Sequence, residues 1–435
     1  MKKIHINEKG QIVVLLALVL IGLLGFTALA VDGGMIYADR RYSQSAADAA
    51  SLAGAGAVGE YFNGLTTKNT VNCVQAIYDI ANEKAANQAE LNDFWDLTSQ
   101  IETSDHGSYV TCVSGPAGYV DVFVALSKVT STSFVQVITR EPMRNTVGST
   151  TRIYPAYDWG SGNAIEALRT GPCDSPDIGV TISGTSDLTL LIGGIWSNSC
   201  LTFNGGVSVD ADSITYNTTD IPFDQNGGSG EIDPEPVNTT EVHVYKDYPG
   251  IKEDCAKLPS KGVLKSDKVN SQDQGNYSGL DLHNGGKINL NPGLYCITGT
   301  VKMTGGSIWG EGVTIYYEGE DFTINGGVSV HLMAANVEQS INVVPYAIED
   351  LLLYVPAEYE AVIKLNGGAN SVFSGTIFAP SSFITVEGNA DASNPTGYYG
   401  SIIGYDVKIA GTPGLKIEYR SNSVPSVPSS LQVQK

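Results

Sequence analysis

The sequence predicts a mainly β protein: an N-terminal transmembrane helix and a small α+β domain, followed by a single-stranded parallel β-helix. Three observations carry this. Residues 12–31 read IVVLLALVLIGLLGFTALAV, twenty residues without a charge. Beyond Cys173 helical periodicity is lost, and a Gly-rich mark recurs about every 20 residues. All six Cys lie after the apolar run, which fits an exported, disulfide-bonded chain.

The apolar run spans roughly 30 Å as a helix, the thickness of a bilayer's hydrocarbon core. A cleaved signal peptide is the competing account. Its apolar region is shorter, and here the small-residue pattern Ala28-Leu29-Ala30 sits inside the apolar block. A retained anchor is therefore expected, with the lipid bilayer contacted through residues 12–31. Lys2, Lys3 and Lys9 precede it against Glu8 alone. That bias places the N-terminus in the cytoplasm of a single-pass cell-membrane protein, with the bulk of the chain extracytoplasmic.

The helix is expected to continue to about residue 58, because Ala46, Ala47, Ala49, Ala50 and Ala53 crowd the segment. Small residues also let a second helix approach closely. Gly54, Gly56 and Gly59 are read as its end. They have G-x-G-x-x-G spacing, but a helix and not a strand precedes them, so the dinucleotide reading fails. Residues 59–160 form the small α+β domain. Apolar residues recur at helical spacing over 70–97, which would put Cys73 on a second helix. Strands follow at Tyr109–Val113, Tyr119–Leu126 and Val147–Tyr154, with a short apolar segment at Ser133–Ile138.

The β-helix is placed at 173–420. Its marks include Asn204-Gly205-Gly206, Asn284-Gly285-Gly286, Thr304-Gly305-Gly306, Asn325-Gly326-Gly327 and Asn366-Gly367-Gly368. Weaker ones are Ser183-Gly184, Glu387-Gly388 and Ala410-Gly411. Tight turns joining short strands at that period fit stacked coils, none stable alone. Residues 216–276 interrupt the period with Pro and acidic residues and are read as a surface loop insertion. Residues 421–435 are read as a disordered tail.

Acidic residues number 46 against 25 Lys and Arg, a net charge of -21, which argues against nucleic acid or anionic membrane surfaces as partners. Cys73, Cys112, Cys173, Cys200, Cys255 and Cys296 include no C-x-x-C pair, so disulfides are favoured over zinc. Pairing between sequence neighbours is the simplest assignment. No two of His5, His106, His243, His283 and His331 have metal-ligand spacing. No catalytic motif, cofactor site or calcium loop is found.

Glu8, Gly10 and Gln11, the apolar run, Val31-Asp32-x-Gly34, Tyr37, Gln44, Ala46-Ala47-Asp48-Ala49-Ala50, Leu52-Ala53 and Gly54-Ala55 follow in order. This block resembles the TadG-like N-terminal segment of Tad/Flp (tight adherence) pilus-assembly proteins. The Gly-rich rod, with Gly375–Pro380 and Tyr399–Ile403, is similar to β-helical regions attached to such anchors. The resemblance implies a pilin-like α+β domain and partners among other pilin-like or Tad assembly subunits. Prepilins cut by a prepilin peptidase carry Glu at the fifth mature position. The fifth residue after Gly10 is Leu15, so a retained accessory subunit is expected.

The expected function is therefore a non-enzymatic, membrane-anchored accessory protein of pilus assembly or adherence. The alternative is a tethered β-helix that binds or cleaves surface glycans, with Trp196, Trp309, Tyr316 and Tyr317 stacking on sugars. Its carboxylate candidates are Asp281, Glu311, Glu318, Glu320, Asp321 and Glu387.

Overall fold

The computed structural model describes residues 11–434 apart from 66–70, 96, 100–105, 116–117, 133, 137–139, 161, 175–176, 185–186, 189–190, 219–223, 227–229, 267–270, 284, 337–345, 389–392, 395, 412–414 and 421–423. Gly10, the N-terminal Lys residues, His5 and Asn284 lie outside the described residues. The chain divides into two units, residues 1–156 with 429–435, and residues 157–428.

The first unit is built on α1 (Gln11–Asn63), a single helix of 53 residues. It does not stop at the three Gly. A Cβ on Gly54 would sit 2.8 Å from the Ala81 carbonyl oxygen and 2.9 Å from Val122 Cγ1, and one on Gly59 would sit 2.7 Å from Ile153 Cδ1. Close packing there offsets the helix cost of Gly, about 1 kcal/mol each. The second helix, α2 (Gln75–Glu90), is shorter than its periodicity suggested. Cys73 precedes it, tied to Cys112, and Val71 bridges to Gly115. Asp93, at a φ of 63°, turns the chain away beyond its end. Ile77, Ala81, Ala85 and Ala89 form its buried stripe.

A five-stranded sheet completes this unit, ordered β1 (Thr98–Ser99), β2 (Gly107–Val113), β3 (Tyr119–Thr130), β4 (Met143–Tyr154) and a C-terminal strand, Ser430–Gln434. The last strand corrects the reading of 421–435 as disordered. Leu431 pairs antiparallel with Ile153 and Val433 with Thr151. The free edge of β4 supplies hydrogen bonds that composition could not reveal.

The second unit is a β-solenoid of about nine turns. Each full coil carries short parallel strands on three faces. On the first face the spatial order is Ser260–Lys261, Gly275–Tyr277, Gly293–Ile297, Val313–Tyr317, Leu351–Tyr354, Thr376–Gly388, Ile402–Gly411, Asn163–Ala167, Gly194–Ser197, Ile214–Tyr216 and Val237–Asn238. The first coil in sequence therefore lies inside the stack, against the last one. The Gly marks fall in register across this junction: Gly367, Gly388, Gly411, Gly184 and Gly205 are successive partners.

Two sequence-based boundaries change. Coils begin at Asn163–Ala167, not at 173. Among the described residues, the segment 216–276 is only in part the expected surface loop. Asp224–Asn226, Ile232–Asp233 and Val237–Asn238 add strands to the three faces. Strands of two or three residues are too short for periodicity to register. Residues 239–258, including α3 (Ile251–Lys257), then return the chain along the outside of the first face.

That return segment covers a ladder of outward-facing residues in continuous register: Asn276, Cys296, Tyr316, Tyr354, Phe378, Ile403, Glu166 and Trp196. His243 stacks on Trp196 with ring centres 3.7 Å apart, and Trp159 on Phe378 at 3.8 Å. The buried Glu166 carboxylate accepts hydrogen bonds from Asn163 at 2.8 Å and Tyr245 at 2.7 Å, and lies 3.1 Å from His243 Nδ1. Asp247 accepts from the Tyr354 hydroxyl at 2.8 Å. The disulfide Cys255–Cys296 pins the far end, and Cys173–Cys200 ties the first coil to the second.

Removing the Cys255–Cys296 bond with the pair Cys255→Ser and Cys296→Ser should lower the solenoid's stability by roughly 4 kcal/mol, the chain-entropy value for a loop of this length. Denaturant titration reads the loss. Amide exchange should rise first in 239–258.

Candidate functional site

The candidate site is the stretch of α1 where its bare half meets its packed half. From Ile12 to Val31 the large apolar side chains are 52–75% exposed. Among the described residues nothing covers them, as expected of a lipid- or helix-facing surface. Among the described residues this is the one helix long and apolar enough to cross a membrane.

The transition comes at Ala28 and Asp32, one turn apart on one face. They are 4% and 0% exposed. One Asp32 carboxylate oxygen accepts the backbone N–H of Phe134 at 2.8 Å and of Val135 at 2.7 Å. These two residues lie between β3 and β4. The acid that ends the apolar run is therefore the clamp that holds the hairpin connection against α1. Burying a carboxylate here is tolerable because its charge meets two donors.

Further along, α1 docks through small and polar side chains. Gln44 donates to Asp48 Oδ1 at 2.9 Å and to the Gly148 carbonyl at 3.2 Å. Ser51 lies 3.1 Å from Ser149 Oγ and 2.8 Å from Thr151 Oγ1. Ala46, Ala47, Ala50, Ala55 and Val58 are buried with Ile77, Ala81 and Ala85 of α2 and with Val122 and Val124 of β3. Sequence reasoning assigned this Ala-rich stripe to helices of other subunits. The structure spends it within the unit, because small residues let α2 and the sheet approach α1 closely. Ala49 and Asp48 are half-buried. The face left open is the opposite one: Gly34, Tyr37, Ala38, Arg41, Ser45 and Leu52 are all exposed.

A second set of contacts surrounds Asp39. Lys128 pairs with it at 3.1 Å and lies over the Tyr42 ring, 4.7 Å from the centroid. Burial pushes the Asp39 carboxyl up, but hydrogen bonds from Thr130 and Lys128 more than offset this and leave it below the usual range. Asn145 donates to the Ile36 carbonyl at 3.3 Å. Tyr42, Phe94, Trp95, His106, Lys128 and Arg144 line an open hollow of about 450 Å³ beside α1.

The glycan-facing assignment does not survive on three of its four aromatics. Trp196, Tyr316 and Tyr317 are 9%, 2% and 0% exposed. The first two lie under the return segment and the third in the solenoid core. Trp309 alone is open, at 45%, stacked on His331. The carboxylates are dispersed into local pairs: Asp281 with His283, Glu311 with His331, Glu318 with Tyr316 and Glu387 with Asn366. Among the described residues, no group of three His, Cys, Asp or Glu is arranged to hold a metal.

Sequence reasoning missed Phe134 and Val135 as partners of Asp32, and missed Glu166, His243 and Tyr245 as one network. Both join residues far apart in sequence. The available signal was a lone charge at the edge of an apolar helix, which demands a partner.

Residues 10–57 match the family model described as "Putative Flp pilus-assembly TadE/G-like". Residues 249–422 match a domain of unknown function, DUF7305. The second match takes in α3 and the coils from Ser260 onward. It leaves out the coils of 163–238 that extend the same stack. No curated protein matches. Among solved structures, the competence-associated pilin ComZ from Thermus thermophilus is 11% identical, with 78% of this chain and 86% of that one covered, at a TM-score of 0.21. At that score the pairing carries no argument about fold.

Two predictions follow from the packing of α1. Asp32→Ala strands two N–H groups and should cost about 1–3 kcal/mol. Limited proteolysis between β3 and β4 should then accelerate. Gly54→Val should destabilise the first unit by about 1–3 kcal/mol through overpacking, whereas Gly56→Ala, with nothing within 4 Å of its Cβ, should be neutral or slightly stabilising in the same melting assay.

Proposed function

We propose that the chain is a non-enzymatic, membrane-anchored accessory subunit of a Flp/Tad-type pilus or a related surface-assembly machine. The observation that carries this is α1 itself. One unbroken helix joins an uncovered apolar span to a docked Ala- and Asp-marked segment, and the family match covers that same stretch. In this reading Ile12–Val31 stays in the cell membrane with its N-terminus in the cytoplasm. Leu15, where a processed prepilin carries Glu, supports retention.

The partners are other pilin-like or Tad assembly subunits. Because the Ala-rich stripe is occupied, they meet α1 on the face of Gly34, Tyr37, Arg41 and Leu52. Small residues on that face favour close helix approach. The solenoid serves as an extracytoplasmic spacer or adhesive head. Its disulfides and covered aromatic ladder suit an oxidising exterior.

Deleting the gene should abolish or shorten surface pili and lower adherence, and the wild-type gene should restore both. Leu52→Arg should fail to restore piliation while leaving protein levels unchanged, since Leu52 is 43% exposed. Normal pili and adherence in the deletion strain would refute the proposal.

A further inference from the structure

We propose that residues 134–136, between β3 and β4, make a second membrane contact, seated in the headgroup layer of the bilayer that α1 crosses. The inference rests on reading Ile12–Val31 as the span. Its starting point is the Asp32 clamp. Phe134 and Val135 donate to the carboxylate that directly follows Val31. Their backbone is thus held within one side chain's length of the end of the span. The headgroup region adds about 5–8 Å on each side of the hydrocarbon core. Phe134 therefore falls at its depth.

The side chains there suit that layer. Phe134 is 51% exposed and Met143 37%. On α1, the neighbouring Leu29, Val31 and Met35 are 53%, 53% and 40% exposed. Leu29 and Val31 belong to the uncovered span itself. On the β3–β4 side Arg140 and Arg144 are exposed. The acids nearby are Asp32 in the clamp, Asp39, paired with Lys128, Glu141, and Asp93 on the hollow that Arg144 lines. An exposed Phe with Arg at the end of an apolar helix fits the interfacial zone, where the ring sits among headgroups and guanidinium groups meet phosphates. The clamp also explains how an Asp side chain is kept at the membrane boundary, since its oxygen is taken up by two backbone N–H groups.

The test uses the full-length chain in vesicles of equal parts phosphatidylcholine and phosphatidylglycerol. The six native Cys are all paired, so a Cys placed at Gln136 takes a fluorophore uniquely while Phe134 is kept. Nitroxides on the lipid headgroup should quench the Gln136→Cys label at least about twofold more than a label at Glu60→Cys, an exposed position roughly 42 Å beyond Asp32 along α1. Adding Phe134→Ser and Arg140→Gln should return it to the Glu60 level. A Gln136 label that matches Glu60, while a Leu20→Cys label is quenched by acyl-chain nitroxides, overturns the proposal and leaves the anchor intact. Shielding that develops only as the protein-to-lipid ratio rises assigns the surface to a neighbouring chain and also overturns it. An unquenched Leu20 label refutes the anchor reading and the proposal with it.

Discussion

A coil of three short parallel strands has no core and leaves both edges unpaired. This constraint organises the larger unit. Each coil gains a core only by stacking, so apolar residues from successive coils, such as Ile315, Leu353, Ile377, Ile402, Ile165 and Ile195, form one interior column. The chain meets the constraint in an unexpected order. It lays down coils in one direction from Asn163, returns along the outside through 239–258, and builds the remaining coils back to the first. The coil begun at Asn163 is consequently paired on both edges, by Ile402–Gly411 and Gly194–Ser197. The return segment seals the outward aromatic ladder that would otherwise face water.

The same logic of satisfied edges and charges governs the first unit. The C-terminal strand covers β4, and Asp32 draws the β3–β4 connection onto α1. The Ala-rich stripe, with the appearance of an intermolecular surface, is used to assemble the unit. A small-residue helix face packs against whatever is nearest, and here α2 and β3 are covalently close. The face that remains for neighbours is set by what the unit does not cover.

Much of this was legible in residues alone. The anchor followed from twenty uncharged apolar residues, and the solenoid from a Gly mark with a constant step. Both signals are local, written in period and composition. The mark even located the corner ladder, since Gly184, Gly388 and Gly411 stack in register. The order of the coils was not legible. Gly411 and Gly184 are partners across more than half the chain, and no local pattern encodes that. The strands of 224–238 were hidden by Pro and acids at an end of the stack, residues that also suit a terminal edge by discouraging further pairing. The glycan reading lost three of its four aromatics for a related reason. An aromatic in a strand does not disclose whether its outward face is bare, and the segment covering Trp196 and Tyr316 lies far away in sequence.

The central claim is that α1 holds the chain in the cell membrane with the solenoid outside. It is tested most directly by impermeant thiol labelling of intact cells that carry Glu387→Cys, followed by alkaline carbonate extraction of their membranes. The account predicts that the solenoid thiol is labelled from outside and that the labelled protein stays in the membrane pellet. A protein released by carbonate, or a thiol reached only after lysis, would contradict it.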